Sequence, residues 1–337
     1  MAAKGAHWVR PELVAEVEYA EITSDGLLRQ ASFKGLREDK PAREVTGERP
    51  VTVRFTNPRK VLFGEYSISK AELAEYYQYI YPRMMPHLSG RPLTLVRCPD
   101  GYDKECFFQK HANDTVPPQV KRVKLLEDGE MVEYTMADSL DALMGLVQMG
   151  VLEIHSWNSR YEKLEYPDRV VLDLDPAPGL PWERLAEGAL LLRNRLLDIR
   201  LESFLKTTGG KGFHVVVPVL PERDWTAARE FAKRVAEGLA KDYPAKFTSN
   251  MSKVKRTAKI FLDWVRNVRG QTAIEAYSTR ALAGAPVSAP VTWEEAAAGV
   301  RPDAIGVGNI RQRLESLKDD PWAGFFELKQ RLPGGRF

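Results

Sequence analysis

The apolar positions of this 337-residue chain follow two periods. Compact runs rich in β-branched and aromatic residues at 151–157, 170–174, 203–207, 213–220 and 260–263 predict strands. Apolar residues at helical spacing predict helices over 69–88, 136–149, 182–199 and 225–241. The first opens on a capping box of Ser69 and Glu72. The second carries Leu140, Leu143, Met144 and Val147 on one face, and the last is capped at Asp224 or Thr226. Further strands are expected at 8–19, 51–56, 92–97 and 107–111, with short helices opening at Thr292, boxed with Glu295, and spanning 309–318. Strands interleaved with helices mean an α/β sandwich.

The run at 170–174 holds a carboxylate inside it and a second one just past its end. Residues two apart on a strand share a face, so Asp173 and Asp175 point one way while Val170, Leu172 and Leu174 point the other. Pro176 and Pro178 then stop the strand. A lone D-x-D is more often a solvated strand end than a metal site. Here a second apolar strand also ends in a carboxylate, Asp263. Carboxylates on two strands suit a two-metal site for phosphoryl or nucleotidyl transfer, because hard divalent cations take oxygen ligands.

Between two predicted strands stands Thr208-Gly209-Gly210-Lys211-Gly212. Its glycines allow a backbone to approach a phosphate, its N–H groups can form an anion nest, and Lys211 adds a charge. No helix follows, so it is not a Walker loop; an ordinary glycine-rich hairpin turn is the other reading. Lys70 sits in the first turn of a capped helix, where N–H groups and dipole favour an anion, so a bound phosphate would rationalise it.

Composition changes little. The chain is 44% hydrophobic and 28% charged, with a net charge of only +3, which by itself does not announce nucleic acid. Basic residues do cluster at 121–124 and 253–256, either as binding stripes or as solvated faces. Cys98 and Cys106 are too few for a disulfide framework or a zinc site, and no signal peptide or long apolar run is visible. Together these predict a cytoplasmic, reducing setting and no membrane partner.

Three motifs in order, D-L-D-P at 173–176, K-T-T-G-G-K-G-F-H at 206–214 and K-I-F-L-D-W at 259–264, resemble the archaeo-eukaryotic primase superfamily. More closely, residues from about 53 to about 317 resemble the polymerase domain of bacterial DNA ligase D. The resemblance implies a primase-like catalytic core of mixed central β-sheets flanked by helices. It also implies a template-directed nucleotidyltransferase, a DNA or RNA polymerase that adds NTPs or dNTPs to primer 3′ ends and fills short gaps in non-homologous end joining. Asp173 and Asp175 would bridge two divalent ions, manganese or magnesium, and Asp263 would hold the one that activates the primer hydroxyl. Thr208, Gly209, Gly210, Lys211, His214, Arg256 and Arg280 would surround the triphosphate, with His155 near the metals. Asn57, Lys60 and Lys70 would receive the 5′-phosphate across a DNA gap. Phe108 would stack on a base while Phe107 joins the core, and Lys110 and Lys253 would add DNA contacts. Ku and a ligase domain would be partners, in the bacterial cytoplasm at the nucleoid.

FKGLREDK at 33–40 resembles the last basic motif of the ligase oligonucleotide-binding fold, but no K-x-D-G nucleophile motif occurs. Residues 1–45 are therefore expected to be a ligase-domain remnant or linker, and 50–337 the primase-polymerase domain, with a polar boundary at 44–50. An N-terminal hairpin of the main domain is the alternative. Two departures stand out: Thr208 where the family usually has serine, and Asn158 where it often has glycine. A metal-dependent nuclease and a non-catalytic DNA-end-binding module remain rival functions.

Overall fold

Strand periodicity builds two six-stranded sheets, and the second carries all three of the carboxylates that the sequence singles out. The structure, a computed structural model, describes residues 13–18, 21–22, 28–37, 53–252 and 256–334. It divides into two compact units, Met1–Thr52 and Val53–Phe337.

In the first unit, β1 (Val14–Glu18), β2 (Glu21–Ile22), β3 (Leu28–Arg29) and β4 (Ser32–Arg37) form two antiparallel pairs, β1 with β4 and β2 with β3. Lys34 of β4 pairs with Glu18. The rest of the basic motif, 38–40, lies outside the described residues.

The second unit opens on β5 (Val61–Phe63) and β6 (Ile68–Ser69), which lead into α1 (Lys70–Leu88) through the expected capping box. Then come β7 (Leu93–Arg97), β8 (Phe107–Gln109), β9 (Lys121–Glu127), β10 (Glu130–Met136), α2 (Leu140–Gln148) and β11 (Val151–Trp157). They are followed by β12 (Arg169–Pro176), α3 (Trp182–Asp198), β13 (Phe204–Thr207), β14 (Phe213–Pro218) and α4 (Trp225–Asp242). Last are β15 (Phe247–Thr248), β16 (Ile260–Asp263), β17 (Thr272–Ile274), β18 (Pro290–Val291), α5 (Trp293–Ala297) and α6 (Ile310–Ser316). One sheet is ordered β17-β11-β7-β10-β9, with β8 also on β7; the other is β15-β16-β12-β14-β13-β18.

The two faces of β12 have different fates. Val170, Leu172 and Leu174 are fully buried, and Leu174 is in register with Leu262 of β16. Helix α3 packs against this face so closely that a Cβ on Gly188 would come 2.4 Å from Ile260 Cδ1. The opposite face carries Arg169, Asp173 and Asp175 and turns toward the first sheet. Arg169 makes a buried ion pair with Glu275 at 2.9 Å and donates to Ser156 Oγ of β11 at 2.6 Å.

Four expectations are corrected. Residues 53–56 form no strand. Helix α2 begins at Leu140, capped by Ser139, because residues 130–136 pair with β9 in a hairpin instead. Asp128 and Gly129 both take positive φ at its tip, 51° and 88°, as a two-residue type I′ turn requires. Phe107 is exposed rather than in the core, with the Arg97 guanidinium 5.3 Å from its ring centre. Cys98 and Cys106 are joined in a disulfide: antiparallel β7 and β8 pair Arg97 with Phe107, which brings the residue after Arg97 beside the residue before Phe107. Among the described residues, no helix is long and apolar enough to cross a membrane.

Candidate active site

A single rank of side chains crosses four strands of the second sheet. Lys206 on β13 is paired with His214 on β14, His214 with Asp173 on β12, and Asp173 with Asp263 on β16. Directly paired residues share a face, so the two carboxylates lie side by side with His214 flanking them. Asp175, two residues along β12, shares that face and pairs with Phe261.

Cations balance these acids. Arg266 Nε stands 3.6 Å from Asp173 Oδ2 and 3.6 Å from Asp263 Oδ2. Lys211 Nζ is 2.9 Å from Asp175 Oδ1, and Arg256 Nη1 is 3.5 Å from Asp175 Oδ2 while its guanidinium stacks 3.6 Å over the Phe261 ring. Burial and the neighbouring Asp173 charge push the Asp263 carboxyl above its ordinary value. Burial acts upward on Asp173 too, but His214, Arg266 and Lys206 outweigh it and hold that group low. His214 is driven down to about 4 by burial and by Lys206, and its Nε2 lies 3.5 Å from Asp173 Oδ2.

Three aspartates make an all-oxygen donor set, the kind a hard divalent cation takes. Among the described residues, no three His, Cys, Asp or Glu side chains converge closely enough to hold an ion unaided.

The glycine loop closes on itself. Thr208 Oγ1 donates to Gly212 O at 2.9 Å and accepts from Gly210 N at 3.3 Å and Gly212 N at 3.2 Å. The hydroxyl expected at a triphosphate oxygen is thus engaged within the loop. Gly209 has φ +67°, and a Cβ there would meet Arg280 Cγ at 2.7 Å; a Cβ on Gly212 would meet Leu174 O at 2.4 Å. Both glycines are required by the protein's own packing. Gly210 is not: its nearest neighbour would be 3.6 Å away.

His155 Nε2 donates to Glu153 Oε2 at 2.8 Å, and Arg280 Nε donates to Glu153 Oε1 at 2.9 Å. Arg280 Nη1 continues to Thr208 O at 3.1 Å, so this chain of groups ties β11 to the glycine loop. Burial would lift Glu153, but His155 and Arg280 hold it at about 2. Asn158, the second departure, is buried; it donates to Arg266 O at 3.1 Å and accepts from Arg169 Nε at 3.2 Å, bracing the arginine that faces the carboxylates.

Asn57, Lys60 and Lys70 come together elsewhere, lining a cavity of about 350 Å³ with Thr56, Arg97 and Gln148. Lys60 pairs with Asp100 at 2.5 Å. Lys70 is buried and donates to Thr56 O at 3.0 Å; burial and Lys60 lower its pKa. The expectation that the first turn of α1 offers free N–H groups is overturned. Lys70 N donates to Lys60 O at 2.8 Å, Ala71 N to Pro58 O at 2.9 Å, and Glu72 N to Ser69 Oγ at 3.3 Å. Phe108 is 75% exposed. Lys110 pairs with Glu127, which also accepts from Tyr134 Oη at 2.9 Å. Lys253 lies outside the described residues.

Sequence reasoning passed over Arg266, Glu153 and Lys206. Arg266 is signalled by its place three residues after Asp263 and Glu153 by its shared face with His155; Lys206 is signalled only by standing first in the motif at 206–214, because a lysine in a short strand otherwise reads as solvated.

Residues 69–322 match the family described as LigD, primase-polymerase domain, and residues 1–40 match the ATP dependent DNA ligase C terminal region. The multifunctional non-homologous end joining protein LigD of Pseudomonas aeruginosa is 40% identical over 347 aligned positions, covering 96% of this chain and 41% of that protein. The corresponding DNA repair protein LigD of Mycobacterium tuberculosis is 36% identical over 251 positions, covering 72% of this chain and 33% of that protein. The chain thus spans less than half the length of either relative. Among solved structures, the polymerase domain from Mycobacterium tuberculosis ligase D in complex with DNA superposes with a TM-score of 0.74 at 32% identity, covering 80% of this chain and 96% of that one.

Proposed function

The chain belongs to the LigD primase-polymerase domain family, and on that premise we propose that it is a template-directed nucleotidyltransferase that extends primer 3′ ends and fills short gaps at broken DNA ends. The observation that carries this reading is the register that sets Asp173 opposite Asp263, with Asp175 on the same face. The match of residues 1–40 to a ligase C-terminal region supports taking 1–45 as a ligase-type segment and 50–337 as the polymerase domain.

In this reading Asp173, Asp175 and Asp263 would hold two divalent ions, manganese or magnesium. Such ions, when bound, favour the attacking alkoxide and neutralise charge on the transferring phosphate. The protein's own groups do the positioning. Lys211 and Arg256, which now pair with Asp175, turn to the triphosphate. His214, neutral at pH 7 because it is held at about 4, serves as a hydrogen-bonding wall beside Asp173. Arg280 and His155, joined through Glu153, fix the loop against the neighbouring sheet. Catalysis of this kind is orientation plus electrostatic complementarity to the transition state.

The cavity at Asn57, Lys60 and Lys70 receives the downstream 5′-phosphate, and Phe108 offers a stacking surface for a base. Ku and a ligase domain are the proposed partners. A labelled primer annealed to a longer template, incubated with nucleotide and divalent ion, tests the reading. It should lengthen. Shortening would mean a nuclease, and binding without change in length would mean a DNA-end-binding module.

A further inference from the structure

Beyond its electrostatic effect on His214 and Asp173, Lys206 has no part in the roles above, yet it stands at the far end of the rank that leads to the carboxylates. We infer that Lys206 is a positioning residue for nucleotide binding, which fixes the root of the glycine loop against the first sheet. The inference rests on the nucleotidyl-transfer reading of this site.

A lysine is seldom buried without partners, and Lys206 is only 3% exposed. Its Nζ donates to Ile274 O at 2.8 Å and to Ser288 Oγ at 2.6 Å. Ser288 Oγ spends its one hydrogen on Thr207 O, at 3.0 Å. Thr207 is the last residue of β13 before the loop, and Ile274 is paired with His155 on β11. One amine therefore connects the loop root to β17, the strand paired with the one that carries His155.

The loop root has a second tie of the same kind, from Arg280 Nη1 to Thr208 O at 3.1 Å. Two consecutive carbonyls, of Thr207 and Thr208, are thus held by basic side chains, one by Lys206 through Ser288 and one by Arg280 directly. Packing alone does not call for an amine here. An unbranched apolar chain of the same length would fill the space without the desolvation penalty that burying an ammonium brings. The amine is explained by what it holds in place. The loop between these ties and Phe213 carries Lys211, and a Cβ at Gly212 would leave no room beside Leu174 O, so a small shift at the root moves the groups that face the triphosphate.

The test compares Lys206→Met, Ser288→Ala and the double variant in the full chain. Nucleotide KM and kcat are measured on a primer–template, nucleotide Kd by calorimetric titration, and melting temperature in parallel. Lys206→Met should raise nucleotide KM and Kd about tenfold or more while kcat and primer–template affinity stay within about threefold. Ser288→Ala should shift the same constants by a smaller factor, and the double variant should be no worse than Lys206→Met, because both cut one connection. Variants that melt earlier but bind nucleotide within about twofold of wild type would overturn the inference and leave Lys206 a structural tie. Should Lys206→Met fail to fold, Ser288→Ala decides alone by the same criterion. A wild-type protein that binds nucleotide without extending primers would instead contradict the polymerase reading, and the Kd comparison would still judge Lys206.

Discussion

Asp173 and Asp263 face each other on neighbouring antiparallel strands, with Arg266 Nε 3.6 Å from an oxygen of each. Two carboxylates set this close repel, and burial sharpens the repulsion. The fold tolerates the arrangement because cations, the protein's own or a bound metal ion, can sit against it.

Asp263→Asn should therefore stabilise the protein while ending catalysis. The folded pKa of Asp263 is raised, so its ionised form destabilises the fold; the penalty is full above the folded pKa and vanishes as pH falls to the unfolded value. In chelator at pH 7 the variant should melt above wild type, and the margin should close on acidification. Primer extension should fall about a hundredfold or more; residual activity above roughly a tenth would remove Asp263 from the ligand set.

Glu275 behaves in the opposite sense. Burial would raise it, but Arg169 and Arg91 hold it at about 2, against an ordinary value of 4.5. A depressed carboxylate contributes stability that is present above its unfolded pKa and lost as pH falls through the window from 4.5 to about 2. Glu275→Gln leaves Arg169 buried without its counter-charge, and should destabilise by about 3–5 kcal/mol at pH 7 in urea unfolding. A loss under about 1 kcal/mol would mean that Ser156 and Asn158 suffice to satisfy the guanidinium.

Lys60 and Lys70 line one cavity, so a gapped duplex with a 5′-phosphate should bind more tightly than one with a 5′-hydroxyl, by about tenfold or more. Lys60→Ala with Lys70→Ala should erase that preference and spare extension of a simple primer–template. Because the first-turn N–H groups of α1 are already engaged, the two ammonium groups carry the preference. Equal weakening on both ends, with a shallower salt dependence, would reduce the pair to a general basic face.

Deleting residues 1–45 should leave extension and melting of the remainder unchanged, since Met1–Thr52 and Val53–Phe337 are separate compact units. A fallen melting temperature would show that the segment completes the larger unit's core.

The carboxylates were legible because a D-x-D closing an apolar run fixes which face each side chain takes, and Asp263 ends a second such run. Their partners were less so. Which strand lies beside β12 depends on long-range pairing that no local pattern encodes, so the rank from Lys206 to Asp263 appears only in three dimensions. Arg266 and Glu153 act through the same long-range placement. Local pattern extends the helix back to 136 because Met136 fits a helical face as well as a strand, and sheet pairing with β9 overrides it. The Asp128-Gly129 dipeptide is the local signal of this pairing, since both residues take the positive φ of a two-residue hairpin turn.

The most direct measurement of the central claim uses a duplex with a one-nucleotide gap, each of the four template bases in turn, and single nucleotides supplied separately with manganese or magnesium. The account predicts incorporation of the complementary nucleotide alone by wild type, and none by Asp173→Asn or Asp263→Asn. Incorporation that ignores the template base, or that survives either substitution, would contradict it.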